Sequence, residues 1–171
     1  MDFVEAVSYA GRTRRQERGS LYLLRPGKMR WQYTQPAGKL FVSDGKMFHL
    51  YSPNANQVQR IHPRQAADWR APLAFLLGRL SFHEQFGPIT VRPAGGVVEL
   101  VARARNDREV YTEAIFTVEP KSCEIRRIAV AGRDGAVTEF VFSGEVLNPR
   151  LQASLFQFQA PPGVEVVEGS P

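Results

Sequence analysis

The residues of this chain that could carry out chemistry are carboxylates and serines spread along its whole length. The carboxylates that could pair for proton transfer are Asp44, Asp68, Glu84, Asp107 and Glu113. None of them stands in a recognisable acid–base motif, and Asp44-Gly45 is typical of a hairpin turn. Ser43, Ser81 and Ser143 lack the Gly-x-Ser-x-Gly elbow of a nucleophilic serine. The pattern therefore favours a protein without catalytic activity.

Metal and phosphate chemistry are equally poorly supported. The only cysteine, Cys123, cannot form an internal disulfide, and the three histidines, His49, His62 and His83, lack the spacing of a zinc site. The glycines of the stretch 93–96 are followed by neither Lys-Ser nor Lys-Thr, so this stretch predicts a turn rather than a phosphate loop. We expect no metal and no cofactor, and we expect Cys123 to be inert in or beside a strand.

The chain has a net charge of +5 and one cluster of basic residues. Arg12, Arg14, Arg15 and Arg18 lie just before the first clear strand, where a hairpin tip is expected. Such a cluster is either a solvated turn or an electrostatic contact with anionic lipid head groups or an acidic partner. Nucleic acid is disfavoured, because the aromatic residues follow the apolar alternation of strands instead of being interleaved with the arginines.

Most of the chain shows the alternation of β-strands. From Lys28 onward, Met29, Trp31 and Tyr33 point to one side and their neighbours to the other, as in a sheet with one wet face. Later strands are expected over 96–104, 111–118, 123–130, 137–142 and 151–158, joined by tight turns. Only the range 64–80 has helical spacing, which predicts one helix or two short ones broken at Pro72.

The fold class that follows is mainly β, a curved antiparallel sheet in a single domain over 1–171. About ten antiparallel strands must curl, and the concave face must be filled by a second sheet, a helix or a ligand. No run of apolar residues is long enough to span a bilayer, and no signal sequence precedes the first strand.

The stretch 19–53 closely resembles the LolA family of periplasmic lipoprotein carriers. The matching elements, in order, are Gly19, Arg25-Pro26, Trp31, Gln35-Pro36, Val42-Ser43-Asp44-Gly45 and Tyr51. The resemblance implies an open half-barrel covered by a short helical lid, with the range 64–80 in the position of the lid. Members of that family carry an amphipathic helix and a secretory signal before the first strand, so we expect the N-terminus of this chain to be trimmed or its start misassigned.

The resemblance also implies a binding site. The expected wall of an apolar cavity and its lid are Tyr22, Met29, Trp31, Tyr33, Phe41, Leu73, Phe75, Leu76 and Leu77. Arg25 matches the family's arginine that hydrogen-bonds the lid and closes the cavity until a ligand enters. Acyl chains offer no hydrogen bonds, so such a site would select them by volume and apolar area.

The implied function is that of a monomeric, non-catalytic periplasmic carrier. It would receive acylated lipoproteins from an inner-membrane lipoprotein-releasing ABC complex and deliver them to an outer-membrane acceptor. Two alternatives use the same scaffold: a sensor or regulator of unfolded outer-membrane protein segments or glycolipid, and a carrier of another amphiphilic lipid.

Overall fold

The computed structural model describes residues 1–62, 83 and 86–169. Their strands are β1 (Asp2–Tyr9), β2 (Arg12–Leu24), β3 (Lys28–Gln35), β4 (Leu40–Asp44), β5 (Phe48–Ser52), β6 (Gln57–Ile61), β7 (Ile89–Ala94), β8 (Val97–Arg103), β9 (Tyr111–Val118), β10 (Ile125–Gly132), β11 (Ala136–Ser143) and β12 (Glu165–Glu168). Short 3-10 helices span Pro53–Ala55 and Ala153–Phe156. The helix predicted over 64–80, and with it the expected lid, lies outside the described residues.

These strands form one 12-stranded sheet that does not close on itself. Its order is β12-β6-β5-β4-β3-β2-β1-β11-β10-β9-β8-β7, so that β12 and β7 are the edges. All neighbours pair antiparallel except β12, which runs parallel to β6. The prediction of a mainly β protein built on an open antiparallel sheet is confirmed.

The alternation of the sequence determines which side chains share a face. In β3 the side chains of Met29, Trp31 and Tyr33 are buried, whereas Gln32 and Thr34 between and beyond them are exposed. Residues directly opposite each other on paired strands lie on the same face. Trp31 pairs with Leu21 of β2 and with Phe41 of β4, which extends the apolar row across the sheet. We call this face the inner face.

The sheet curves toward the inner face. Trp31 of β3 and Phe140 of β11 are three strand spacings apart in the sheet order, about 14 Å for a flat sheet. Their ring centroids nevertheless lie 5.3 Å apart. Rings from strands that are not neighbours therefore meet inside the curve, and they form the largest part of the hydrophobic core.

The C-terminal segment corrects one expectation. The strand predicted over 151–158 is wrong: this stretch contains the 3-10 helix Ala153–Phe156, which packs against β3 and β4. Arg30 Nη1 donates a 3.1 Å hydrogen bond to the carbonyl of Leu155, and Phe156 is buried. The stretch packs on the outer face of the sheet, and this packing accounts for its alternation of apolar and polar residues. It does not pair with a neighbouring strand. The short strand β12 follows it and was not predicted.

Two turns agree with the sequence. Asp44 Oδ1 accepts hydrogen bonds from the backbone N–H groups of Lys46 (2.7 Å) and Met47 (2.8 Å), which makes it the turn residue expected between β4 and β5. Burial raises the pKa of Asp44, but these two N–H groups, together with the charges of His49 and Lys46, lower it by more, so that the pKa lies below its ordinary value. Cys123 lies exposed in the turn before β10, beside a strand as expected.

Candidate functional site

The centre of the inner face is a cluster of aromatic rings. Phe3 of β1 contacts the edges of Trp31 at 4.6 Å and of Tyr33 at 5.0 Å between centroids. Trp31 in turn contacts Phe140 and Phe142 of β11 at 5.3 and 6.2 Å. The Trp31–Phe142 pair is tilted, and the other three are edge-to-face, an arrangement that stabilises aromatic rings beyond the area that they bury. The cluster gives the concave side an apolar floor that spans β3 to β11.

Four of the expected wall residues lie on this face. Met29, Trp31, Tyr33 and Phe41 are each at most 4% exposed and belong to one hydrophobic cluster. Phe41 extends it toward Phe48 of β5, with ring centroids 5.5 Å apart. The residues expected to form the lid, Leu73, Phe75, Leu76 and Leu77, lie outside the described residues.

The expected orientation of Tyr22 is wrong. Tyr22 pairs with Arg30, so that it lies on the outer face of the sheet, opposite to Trp31. Because side chains alternate along a strand, its neighbours Leu21 and Leu23 take the inner positions on β2. Leu21 is buried, and Leu23 packs against the same core cluster. The resemblance therefore implied the wrong face for Tyr22, since a shift of one residue along a strand exchanges the two faces.

Trp31 carries an unpaired donor into this apolar environment. Its Nε1 is buried and has no hydrogen-bond partner among the described residues. Its ring carbons are in contact with Phe3, Phe140 and Phe142. A buried N–H without an acceptor is unfavourable, and an acceptor brought by a ligand would satisfy it.

A buried polar network borders the aromatic cluster and was not predicted. Glu5 is fully buried on β1; its Oε2 accepts a 2.9 Å hydrogen bond from the hydroxyl of Tyr33, and its Oε1 lies 3.4 Å from Arg15 Nη2. Arg15 Nε is 3.6 Å from Oε1 of Glu17. The signal in the sequence was the alternation of Phe3, Glu5 and Val7, which puts a carboxylate in an apolar row.

Lys39 closes this network. Its Nζ forms an ion pair with Oε2 of Glu17 and lies 4.2 Å from the centroid of the Tyr33 ring. Each of the two buried carboxylates, Glu5 and Glu17, therefore has a second partner besides Arg15, and the charges of the group balance. Because both carboxylates have hydrogen-bond or ion-pair partners, they can be buried without the large cost of an isolated charge.

Arg25 occupies the turn between β2 and β3. Its side chain is exposed, and none of the hydrogen bonds and ion pairs among residues 1–62, 83 and 86–169 includes it. A residue of β4 holds this turn in place, because Ser43 Oγ donates a buried 2.7 Å hydrogen bond to the carbonyl of Gly27. Arg25 is therefore held where β2 ends and β3 begins, on a turn that Ser43 anchors.

In the part of the chain that the structure describes, no three His, Cys, Asp or Glu side chains come together as a metal site would require. The same residues contain no helix of the length and apolar character needed to cross a membrane.

Among the described residues, the open sheet and its inner face define a class of β protein whose hydrophobic core lies inside the curve. The sequence profile described as "Outer membrane lipoprotein carrier protein LolA" matches residues 1–159. The chain therefore belongs to the LolA family, as the stretch 19–53 indicated.

Relatives of similar sequence agree with this assignment. The chain is 30% identical to the outer-membrane lipoprotein carrier protein of Methylobacillus flagellatus over 96% of its own length and 80% of that protein. It is 33% identical to the protein of the same name from Nitrosomonas europaea, over 90% of this chain and 73% of the relative. These relatives are named as carriers and not as enzymes. The crystal structure of an uncharacterized conserved protein from Thermus thermophilus shares the fold, with a TM-score of 0.51, 13% identity, and coverage of 99% and 91% of the two chains.

Proposed function

We propose that this chain is a periplasmic carrier that binds the acyl chains of lipoproteins on the inner face of its sheet and moves them from the inner to the outer membrane. The observation that carries the proposal is the continuous aromatic floor from β3 to β11 in a chain of the LolA family. We take residues 1–171 as one carrier domain.

The wall of the proposed site consists of Met29, Trp31, Tyr33 and Phe41. Their rings and chains contact the rest of the core, so acyl chains must separate them in order to enter. Each methylene that leaves water contributes about 0.8 kcal/mol, and several chains would supply enough free energy to offset the lost ring contacts. The unpaired Trp31 Nε1 would gain an acceptor from an ester or amide carbonyl of the cargo.

The proposed lid is formed by Leu73, Phe75, Leu76 and Leu77, and Arg25 is the latch. The guanidinium has five donors on a turn that Ser43 anchors, so it can hold backbone carbonyls of a neighbouring segment and release them when cargo enters. We expect Arg25→Leu to leave stability unchanged and to impair the cycle of loading and release. Arg108→Leu, another exposed arginine in a loop, is the matched control.

The proposed partners follow from this role. Acylated lipoproteins would be the cargo, an inner-membrane lipoprotein-releasing ABC complex the donor, and an outer-membrane protein the acceptor. The carrier itself would use no nucleotide.

The test is displacement of an environment-sensitive apolar dye from the purified protein by a triacylated lipopeptide. The same peptide without acyl chains is the control. Displacement by the acylated form alone supports the carrier. Displacement by both forms would favour a reader of unfolded peptide segments, and displacement by a phospholipid but by neither peptide would favour a carrier of another amphiphile.

A further inference from the structure

The N-terminal half of β2 forms an open edge inside the sheet. β2 spans Arg12–Leu24, but its register with β3 begins only where Arg18 pairs with Gln35. The next residue, Pro36, has no N–H with which to continue the ladder. Among the described residues, β1 alone pairs with β2 over 12–17. We call the stretch 12–16 the β2 edge, and every residue in it is exposed.

The β2 edge directs backbone donors and acceptors away from β1. The N–H of Leu21 donates a 2.8 Å hydrogen bond to the carbonyl of Met1, on the β1 side. The carbonyl of Arg18 instead accepts a 3.2 Å hydrogen bond from Thr34 Oγ1, on the β3 side. Successive residues of a strand direct their backbone groups to opposite edges. Gln16, two residues before Arg18, therefore directs its N–H and carbonyl to the side where β3 has ended.

The side chains around this edge are cationic. Arg12, Arg14 and Arg18 are exposed, and none of the ion pairs among the described residues includes them. Arg15 is set apart, because it is the counter-charge in the buried polar network. Glu17, the only carboxylate between 12 and 18, is buried. The edge therefore presents arginines without exposed acidic residues beside them in the strand.

Backbone and charge together define the chemistry of a partner. An unpaired strand edge is a template on which an extended segment can add a further strand, held by main-chain hydrogen bonds. Carboxylates on that segment would pair with the exposed guanidinium groups in charge-assisted hydrogen bonds. An anionic membrane could neutralise the arginines, but it offers no strand to the backbone of Gln16.

A second copy of this chain is a poor occupant of the β2 edge. Pairing two such edges would bring the arginines of one copy against those of the other, and like charges on facing strands are destabilising. β2 also has a bulge beside Arg14, opposite Val7 of β1. Charges and bulges on an edge are the devices that prevent pairing between identical edges. They leave the edge open to a partner of opposite charge.

We propose that the β2 edge binds an extended acidic segment of a partner protein, which adds a strand beside residues 12–16 in continuation of β3. Its carboxylates pair with Arg12, Arg14 and Arg18, and its backbone pairs with Gln16. The proposal concerns a sheet edge and does not rest on the binding of acyl chains to the inner face.

Calorimetric titration of the purified protein tests this with three capped octapeptides. The first alternates threonine and glutamate, and the second has glutamine in place of glutamate. The third is the first with N-methyl groups on its four central residues, which prevents pairing along both of its edges. We expect the first to bind at least about tenfold more tightly than either control, with an affinity that falls as salt is added. Equal affinity for the first peptide and either control would overturn the proposal.

Charge variants locate the site. Arg12→Gln combined with Arg14→Gln should weaken binding of the glutamate peptide about fivefold, as two exposed ion pairs suggest. Arg108→Gln combined with Arg150→Gln removes the same charge from exposed loops and should leave the affinity unchanged. Thermal unfolding checks that each variant folds. Equal affinities of the two folded double variants would contradict binding at the β2 edge.

Amide exchange followed by NMR tests the backbone part. In the saturated complex, the amide of Gln16 should exchange at least about tenfold more slowly, whereas that of Leu21, already bonded to Met1, should not change. Gln16→Pro removes this N–H while keeping every charge, and should weaken the glutamate peptide. Unchanged exchange at Gln16 would mean that charge alone holds the peptide, and strand addition would be refuted.

Vesicles of phosphatidylglycerol distinguish a lipid surface from a protein partner. We expect the glutamate peptide to bind in the absence of vesicles and to bind less tightly in the Arg12→Gln and Arg14→Gln double variant. Sedimentation with the vesicles that this double variant abolishes, together with no binding of the glutamate peptide, would assign the arginines to lipid head groups and overturn the proposal.

Discussion

The hydroxyl of Tyr33 donates a 2.9 Å hydrogen bond to the fully buried carboxylate of Glu5, across 28 positions of the sequence. The contact joins β3 to β1 over the intervening β2. The Glu5 carboxylate lies at the border of the aromatic floor, where a buried carboxylate is tolerated only if it is hydrogen-bonded. Tyr33 thus belongs both to the hydrophobic cluster of the inner face and to the polar network.

Tyr33→Phe should therefore destabilise the protein. It leaves Glu5 with only the long contact to Arg15, and the loss of a partner to a buried charged group costs about 1–3 kcal/mol. Urea unfolding measures the difference. Tyr51→Phe, a half-buried tyrosine against Phe158 on the outer face, should change stability by less than about 0.5 kcal/mol. Equal effects of the two substitutions would contradict the role of the Glu5 contact.

Ser43→Ala should loosen the turn that carries Arg25. The substitution removes the buried 2.7 Å hydrogen bond to the Gly27 carbonyl, at a cost of about 1–3 kcal/mol. Amide hydrogen exchange over 24–29 should become faster in the same variant. Ser143→Ala at the exposed end of β11 is the control, and it should be nearly neutral. Unaltered exchange in the turn of Ser43→Ala would show that other contacts hold it.

His49 should make stability fall in mild acid. Burial lowers the pKa of His49 below its ordinary value of 6.5. The ring stacks on Phe158 at 5.1 Å, and its buried Nδ1 has no hydrogen-bond partner in the part of the chain that the structure describes. The unfolded chain then takes up the proton first, so stability is lost as the pH falls through about 6.5 and the loss is complete below the folded pKa. His49→Phe keeps the stacking and removes the titration. Relative to wild type it should gain stability between about pH 7.5 and pH 5. An identical pH dependence of unfolding in the two proteins would contradict this assignment.

Gly19→Ala should prevent stable folding. A Cβ at this position would lie 2.1 Å from the carbonyl oxygen of Gln32 and 2.8 Å from Cα of Tyr33, and backbone atoms cannot move aside cheaply. We expect a loss of more than about 3 kcal/mol, beyond the usual range of single substitutions. Gly95→Ala, with φ of +59° and open space around it, should cost only about 1–2 kcal/mol of backbone strain. Comparable circular dichroism melting curves for the two would refute the close approach of β2 and β3.

The period-2 alternation was sufficient to predict most strands, because a strand with one buried face alternates apolar and polar residues. The range predicted as 111–118 is that of β9, and the inner positions of β3 were assigned correctly. Tyr22 was assigned to the wrong face because an aromatic residue and its neighbours Leu21 and Leu23 all suit an apolar row, and only pairing with β3 decides between them.

The polar part of the inner face could not be predicted in the same way. Glu5 and Glu17 lie on β1 and β2, whereas Tyr33 lies on β3 and Lys39 just before β4. Their burial follows from the register of β1, β2 and β3. The stretch that contains the 3-10 helix Ala153–Phe156 was predicted as a strand. Alternation shows that one side of a segment is buried, but it does not show whether the backbone pairs with a neighbouring strand.

The most direct test of the carrier proposal uses the position of Trp31 on the aromatic floor. In Trp69→Phe, Trp31 is the remaining tryptophan of the chain and reports on its own surroundings. The variant is titrated with a triacylated lipopeptide whose acyl chains carry bromine, and tryptophan emission is compared with that for the unbrominated peptide. We predict strong quenching by the brominated chains alone, since quenching requires contact with Trp31. Binding of the peptide without quenching would contradict an acyl-chain site on the inner face.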